Sequence, residues 1–258
     1  MSKKSVLKVS ALAVAIAAAG APVMASAEIS GSLGATSQYL WRGLQLTTAP
    51  TINGSLDYAH DTGFYTGIWT SSESGATEYD LYVGFGGEVE GFSYDLSYID
   101  YNYTAGGTAG EYDGTAFALP VEASTRDFQE IHVGVGFAGL SAGAYLGTGD
   151  FGHPSSDEVD TENDDVYYYI SYGYDKYGIT VGSYDFDPEP NEIEGGLPDY
   201  THVDLSYALT DQFTFTASKI VAQDEFELTG GALDPNGVNS AELWDDDVLF
   251  SVSYSFAL

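Results

Sequence analysis

The stretch VLFSVSYSFAL, residues 248–258, governs how the rest of the chain is read. Val248, Phe250, Val252, Tyr254, Phe256 and Leu258 alternate with Leu249, Ser251, Ser253, Ser255 and Ala257. A period of two sends one set to each face of a strand. One face is apolar from end to end; the other is almost entirely small or hydroxylic. A tilted strand crosses a bilayer in about 9–11 residues, and this one is long enough. Such a strand, ending on a bulky apolar residue, suits the closing strand of a transmembrane β-barrel. The edge of a soluble sandwich would show the same alternation, because a single barrel strand is a weak signal.

The other end of the chain separates the two. Lys3, Lys4 and Lys8 form a basic start, residues 9–20 (VSALAVAIAAAG) an apolar run, and Ala25-Ser26-Ala27 a small-x-small cleavage site. That order is a secretory signal peptide, too short in its apolar run for a membrane helix. Cleavage is expected after Ala27, with export by the Sec route, so the fold is expected to occupy residues 28–258. The chain has no cysteine, which excludes a lipoprotein anchor and a disulfide framework. No later stretch is apolar enough for a transmembrane helix, so any crossing is by strands.

Composition agrees. The sequence has 31 Gly, 21 Tyr and 13 Phe. Glycine suits curved strands, and aromatics suit the girdles at the two membrane interfaces. All 39 acidic residues follow residue 27, against only Arg42, Arg126, Lys176 and Lys219, so residues 28–258 carry 4 − 39 = −35. A surface of that charge repels nucleic acid and attracts cations. It has two readings: a cation-favouring pore, or the general acidity of a salt-adapted proteome.

Between the ends the alternation recurs. Segments 28–41, 51–60, 64–70, 78–87, 92–98, 130–137, 141–148, 166–173, 177–186, 202–209, 213–221 and 248–258 read as strands. Their connections alternate long and short: 61–63, 139–140, 175–176 and 210–212 are tight, whereas 42–50, 104–126, 149–164, 187–199 and 223–247 are long and mostly acidic. Short periplasmic turns opposite longer outer loops mark an outer-membrane barrel. The predicted fold is therefore all-β: a closed antiparallel transmembrane β-barrel of about twelve strands, with both termini on the periplasmic side.

A longer pattern runs through the first strands. It comprises Tyr39-Leu40-Trp41-Arg42-Gly43, Gln45, Thr47, Pro50, Asp57-Tyr58, His60, Gly63-Phe64-Tyr65, Gly67, Trp69 and Ser71. Glu78-Tyr79-Asp80-Leu81-Tyr82 and Gly84-Phe85 complete it. This pattern resembles the TorF family of small bacterial outer-membrane porins over residues 36–101. One departure is local: Tyr101-Asn102-Tyr103 is followed by Thr104, where the relatives carry proline. The resemblance implies an outer-membrane location and a channel role, and no particular solute.

Arg42 stands out as a cation in an acidic chain. Read as the outer end of the first strand, it pairs with inward acids such as Asp57, Asp80 or Asp95 and narrows the lumen, or it fixes the rim with Trp41 in the outer aromatic girdle. By parity Asp57, Glu78, Asp80, Asp95, Glu130, His132, His202 and Asp204 fall on the polar face, the expected lumen lining. Carboxylates there favour cations, and they also keep the face wet. His132 and His202 lack a Gly-x-Ser-x-Gly elbow or a His-Glu-x-x-His motif, so no enzyme, metal site or cofactor is expected. His153 lies in an acidic loop without metal spacing, and the loop carboxylates match no calcium motif.

The expected function is passive diffusion of small solutes, biased to cations. The alternative is a closed barrel acting at the surface through acidic loops, because twelve strands lie between the filled eight and the open sixteen. Expected partners are small solutes or cations, outer-membrane lipid and lipopolysaccharide, and the barrel-insertion machinery through strand 248–258.

Overall fold

A computed structural model describes residues 28–73, 76–104, 127–148, 165–186, 198–224, 226–227, 240–241 and 246–258. The expected signal peptide, 1–27, and most of the long acidic loops lie outside the described residues, His153 among them.

In chain order the strands are β1 (Glu28–Thr36), β2 (Leu40–Trp41), β3 (Leu44–Gln45), β4 (Thr51–Ala59), β5 (Phe64–Ser72), β6 (Thr77–Val89), β7 (Phe92–Tyr103) and β8 (Phe128–Phe137). They continue with β9 (Leu140–Gly147), β10 (Val166–Tyr174), β11 (Tyr177–Asp185), β12 (Tyr200–Ala208), β13 (Phe213–Gln223), β14 (Phe226–Glu227), β15 (Ser240–Ala241) and β16 (Leu249–Ala257). Twelve of them, β1, β4–β13 and β16, form one closed antiparallel barrel; β2–β3 and β14–β15 are separate two-stranded ribbons. Closure leaves no sheet edge, the condition a β-structure must meet to span lipid.

The seam is closed by the C-terminal strand. β16 pairs with β13 on one side and with β1 on the other, with Ser32 opposite Ala257 and Thr36 opposite Ser253. Phe250, Val252, Tyr254 and Phe256 are exposed on the outside, whereas Ser251 is buried inside. Leu33, Leu56, Leu81, Val133, Ile170 and Leu205 continue the outer apolar surface around the wall. An apolar exterior on a closed barrel is a lipid-facing surface. Phe64, Phe85, Phe92, Phe137, Tyr177 and Phe213 lie outside near the short-turn end, where a girdle meets the headgroups.

Tight turns collect at that end. Glu90-Gly91 (φ 54° and 83°) and Ala138-Gly139 (φ 52° and 86°) have both central residues left-handed, the two-residue geometry that matches strand twist. The chain's C-terminus is at the same end, where Leu258 N–H donates to the Gly31 carbonyl (2.9 Å). The strand ends that lead into the long connections are at the other end.

One expectation fails here. The first strand was read as 28–41, yet β1 stops at Thr36. Residues 37–50 leave the wall and turn into the barrel. The chain reverses there at Arg42-Gly43, a two-residue loop between Leu40-Trp41 and Leu44-Gln45.

Candidate functional site

The β2–β3 hairpin is folded into the lumen, toward the long-connection end of the barrel. Leu40 pairs with Gln45 and Trp41 with Leu44, leaving Arg42-Gly43 as the tip. Both tip residues have positive φ, 49° and 88°, the type I′ pattern. Glycine at the second position is also required by contact. A Cβ on Gly43 would lie 2.6 Å from Cβ and Cγ of His202, so the tip rests directly on that ring. The Tyr200 hydroxyl donates to the Arg42 carbonyl (2.9 Å) and fixes the turn from above.

Arg42 is 7% exposed. Its Nη1 and Nη2 donate to Glu130 Oε1 and Oε2 at 2.7 and 2.6 Å, a parallel two-point pairing. Nη1 also reaches the Tyr184 hydroxyl at 3.3 Å. The guanidinium lies over the rings of Trp41 (4.3 Å), Tyr145 (4.3 Å), Tyr167 (4.5 Å) and Tyr184 (5.4 Å). Burial works against its charge, but Glu130 more than offsets this, so the group stays cationic. The partner therefore differs from the expected Asp57, Asp80 or Asp95: the hairpin carries Arg42 across the lumen to β8. Trp41 is likewise not a girdle residue. It packs inside against Phe128 (6.2 Å) and Tyr184 (5.9 Å).

The hairpin root is held by the closing strand. Thr36 Oγ1 meets Ser251 Oγ (2.8 Å), Gln38 donates to the Phe250 carbonyl (2.9 Å), and Ser251 donates to the Gln38 carbonyl (3.0 Å). On the other flank Tyr39 stacks obliquely on Trp69 at 5.8 Å.

Two hydrogen-bonded relays flank the tip. Asp95 accepts from Tyr65 (2.6 Å) and contacts His132 Nδ1 (2.9 Å), whose Nε2 meets the Tyr169 hydroxyl (3.2 Å). Asp204 accepts from Ser218 (2.6 Å) and contacts His202 Nδ1 (3.1 Å), whose Nε2 meets the Tyr167 hydroxyl (2.9 Å). Both imidazoles are fully buried, while Asp95 and Asp204 are 20% and 17% exposed toward the short-turn half. Asp57 sits on the same inner face, accepting from Ser55 (2.7 Å) and from Tyr82. Glu78 and Asp80 lie higher, on the inner face of β6, each 2% exposed.

Each residue proposed from the sequence thus lies on the inner face or on the hairpin: Arg42 with Glu130, the two relays, the Glu78–Asp80 wall, and Asp57 apart with Ser55 and Tyr82. Sequence reasoning missed Tyr145, Tyr184 and Tyr200, which line the Arg42 seat. Their signal is parity on β9, β11 and β12. A second signal is the placement of large inward tyrosines beside glycines: Tyr82 lies directly opposite Gly67, where a Cβ would come within 2.6 Å of its ring.

A closed transmembrane-type barrel with a charged hairpin folded into its lumen is the class these features define. The chain belongs to the Gcw_chp family, described as bacterial proteins of unknown function; the family model matches residues 18–181. The segment that resembles TorF porins, 36–101, falls inside that match, which carries the Gcw_chp description and not the TorF name. A comparison with curated protein sequences finds no match.

Among solved structures, the chain is similar to the KdgM porin, at 9% identity and a TM-score of 0.45 over 89% of this chain and 99% of that one. A membrane protein from a study entitled "Unveiling the Mechanism Behind the in-meso Crystallization of Membrane Proteins" aligns with a TM-score of 0.52 and 8% identity, over 88% and 83% of the two chains. Outer membrane phospholipase A from Escherichia coli aligns at 11% identity and 0.39, over 88% and 91%. At such identities a likeness speaks to the fold and not to activity.

Proposed function

We propose that this protein is an outer-membrane channel for passive diffusion of small solutes, with the β2–β3 hairpin as its constriction and a bias toward cations. The observation that carries the reading is the Arg42–Glu130 pair at the hairpin tip. A loop that turns inward and docks by charge on the far wall divides the lumen into a vestibule and an eyelet. The short-turn half keeps Asp57, Asp95 and Asp204 partly exposed, and a carboxylate-lined vestibule concentrates cations and repels anions. Export through the signal peptide at 1–27, and insertion through residues 248–258, belong to the same proposal. Among the described residues no histidine hydrogen-bonds a serine, so the two relays offer no activated nucleophile of the Ser–His type.

A second reading has its own support. Trp41, Tyr145, Tyr167, Tyr184 and Arg42 pack against one another at the tip, the arrangement expected of a closed barrel that acts through its loops. Planar-bilayer conductance of the refolded protein in a salt gradient separates the two. The channel reading expects discrete steps with a cation-favouring reversal potential, larger when residues 40–45 are replaced by a short glycine-serine loop. If neither the native protein nor that variant conducts while circular dichroism shows it folded, the channel reading is wrong.

A further inference from the structure

Arg42 answers Glu130, but two more carboxylates are buried in the wall beside it. Glu78 and Asp80 lie two residues apart on the inner face of β6. Tyr103 donates to Glu78 Oε1 (2.9 Å), whereas Glu78 Oε2 and Asp80 Oδ1 are buried with no hydrogen-bond partner. The hydroxyls of Ser71 and Thr51, residues 1% and 2% exposed, are buried and unpartnered as well.

Strand register gathers three of these side chains, Ser71, Glu78 and Asp80. Ser71 is directly opposite Glu78, and Asp80 is opposite Trp69, one step down the same face. Thr51 lies on β4, two residues from Asn53, which pairs with Ser71. Directly opposed side chains start about 5 Å apart and diagonal ones about 7 Å, so Ser71, Glu78 and Asp80 lie within reach of one bound ion and its water, whereas Thr51 lies two strands and four residues along the ladder from Asp80 and stays outside the shell. Tyr39 roofs the wall. Burial, with Glu78 and Asp80 behind it, holds its hydroxyl well above the usual tyrosine range, so it stays a neutral donor.

A buried carboxylate oxygen with no donor calls for a water or an ion. Every group converging here is oxygen, the donor set of hard cations and not of zinc or copper. Glu78 and Asp80, with the nearby Glu73, whose Oε1 is buried as well, supply at least the two negative charges a divalent ion needs. The described lysines and arginine are engaged elsewhere: Arg42 with Glu130, Lys176 with the Leu209 carbonyl, Lys219 with Asp246. Among the described residues no three His, Cys, Asp or Glu side chains converge as a ready-made metal cage, so the Ser71 hydroxyl and water would complete the shell. We propose that the inner wall of β5–β6 binds a hard divalent cation of the calcium class through Glu78, Asp80 and Ser71, with water completing the shell. The site stands whether or not the barrel conducts.

Terbium(III) is the probe, since a bound ion would sit beside Tyr103 and Trp69 and take up their excitation. The full mature protein, folded in detergent, is titrated with terbium and then with competing calcium. The expected result is a saturable luminescent phase displaced by calcium. In E78Q/D80N the apparent affinity falls at least about tenfold, as loss of ligand charge dictates. D157N/E158Q/D160N, in the acidic loop, leaves it unchanged. Ser71→Ala keeps both charges and the fold, and weakens binding about threefold; it decides the matter if the double variant does not fold. No saturable phase in the folded protein, or equal affinity in E78Q/D80N and Ser71→Ala, overturns the site.

Discussion

Replacing Glu130 with Gln removes one charge from the hairpin seat and almost no volume. Truncating one partner of a buried ion pair costs about 3–5 kcal/mol, because the other charge stays buried without its counter-ion. Part of that is returned here. The substituted amide still accepts one hydrogen bond, and the ring faces of Trp41, Tyr145 and Tyr167 at 4.3–4.5 Å keep supporting the guanidinium, at about 0.5–2 kcal/mol per ring. The net loss to the seated hairpin is about 2–3 kcal/mol, which shifts its seated-to-released ratio by about a hundredfold at 1.4 kcal/mol per decade. The barrel wall keeps its ladder, so the loss appears as local release and not as global unfolding.

Trp41 reports it directly, being packed inside at the tip. In a W69F/W244F background, acrylamide quenching of Trp41 is expected to rise several-fold on Glu130→Gln, with an unchanged β-sheet spectrum. R42M/E130L, which removes both charges, is expected to stay close to the parent, since apolar replacement of a buried pair is often neutral. Quenching that does not change in Glu130→Gln refutes the reasoning: the hairpin would then be held by its rings and backbone, and the ion pair would be incidental.

Gly43→Ala meets both a positive φ and the His202 ring, and is expected to unseat the tip, raising Trp41 quenching and step conductance together. Val133→Arg places a charge on the lipid face at a cost of about 2–4 kcal/mol near the bilayer midplane, and should lower folded yield in vesicles more than Ser141→Arg at the inner wall's short-turn end. Asp57→Asn, Asp95→Asn and Asp204→Asn combined should move the reversal potential toward zero, read in a tenfold salt gradient, without shifting the heat-modified band that marks the folded barrel.

What the sequence disclosed follows from which forces are periodic. The wall was legible because burial in lipid selects every second residue: Val133, Leu205 and Phe250 each sit where parity puts them. Tight turns were legible through glycine, as at Gly139. The hairpin was not, because Leu40-Trp41 continues the alternation of β1, and arginine is not the residue that usually opens a type I′ turn. The Arg42–Glu130 pairing was hidden for a different reason: it joins positions 88 apart across the lumen, and four nearer inward acids, Asp57, Glu78, Asp80 and Asp95, offered equally good charge complements. Only the three-dimensional reach of residues 37–50 selects among them.

The anchoring of the first loop to the last strand has a consequence in time. Besides bonds within the loop root, Thr36 to Gln38 and Gln45 to Gln38, the side chains of Thr36 and Gln38 are clasped by β16, the last described strand. A partly assembled barrel in which β4 through β13 have paired therefore has the wall rings of the Arg42 seat but lacks the clasp that holds the loop root. The plug is set as the seam shuts, and an unsealed intermediate is also an unplugged one. Truncation after β13 should leave Trp41 exposed, so that fluorescence at this one position records the moment the cylinder is completed.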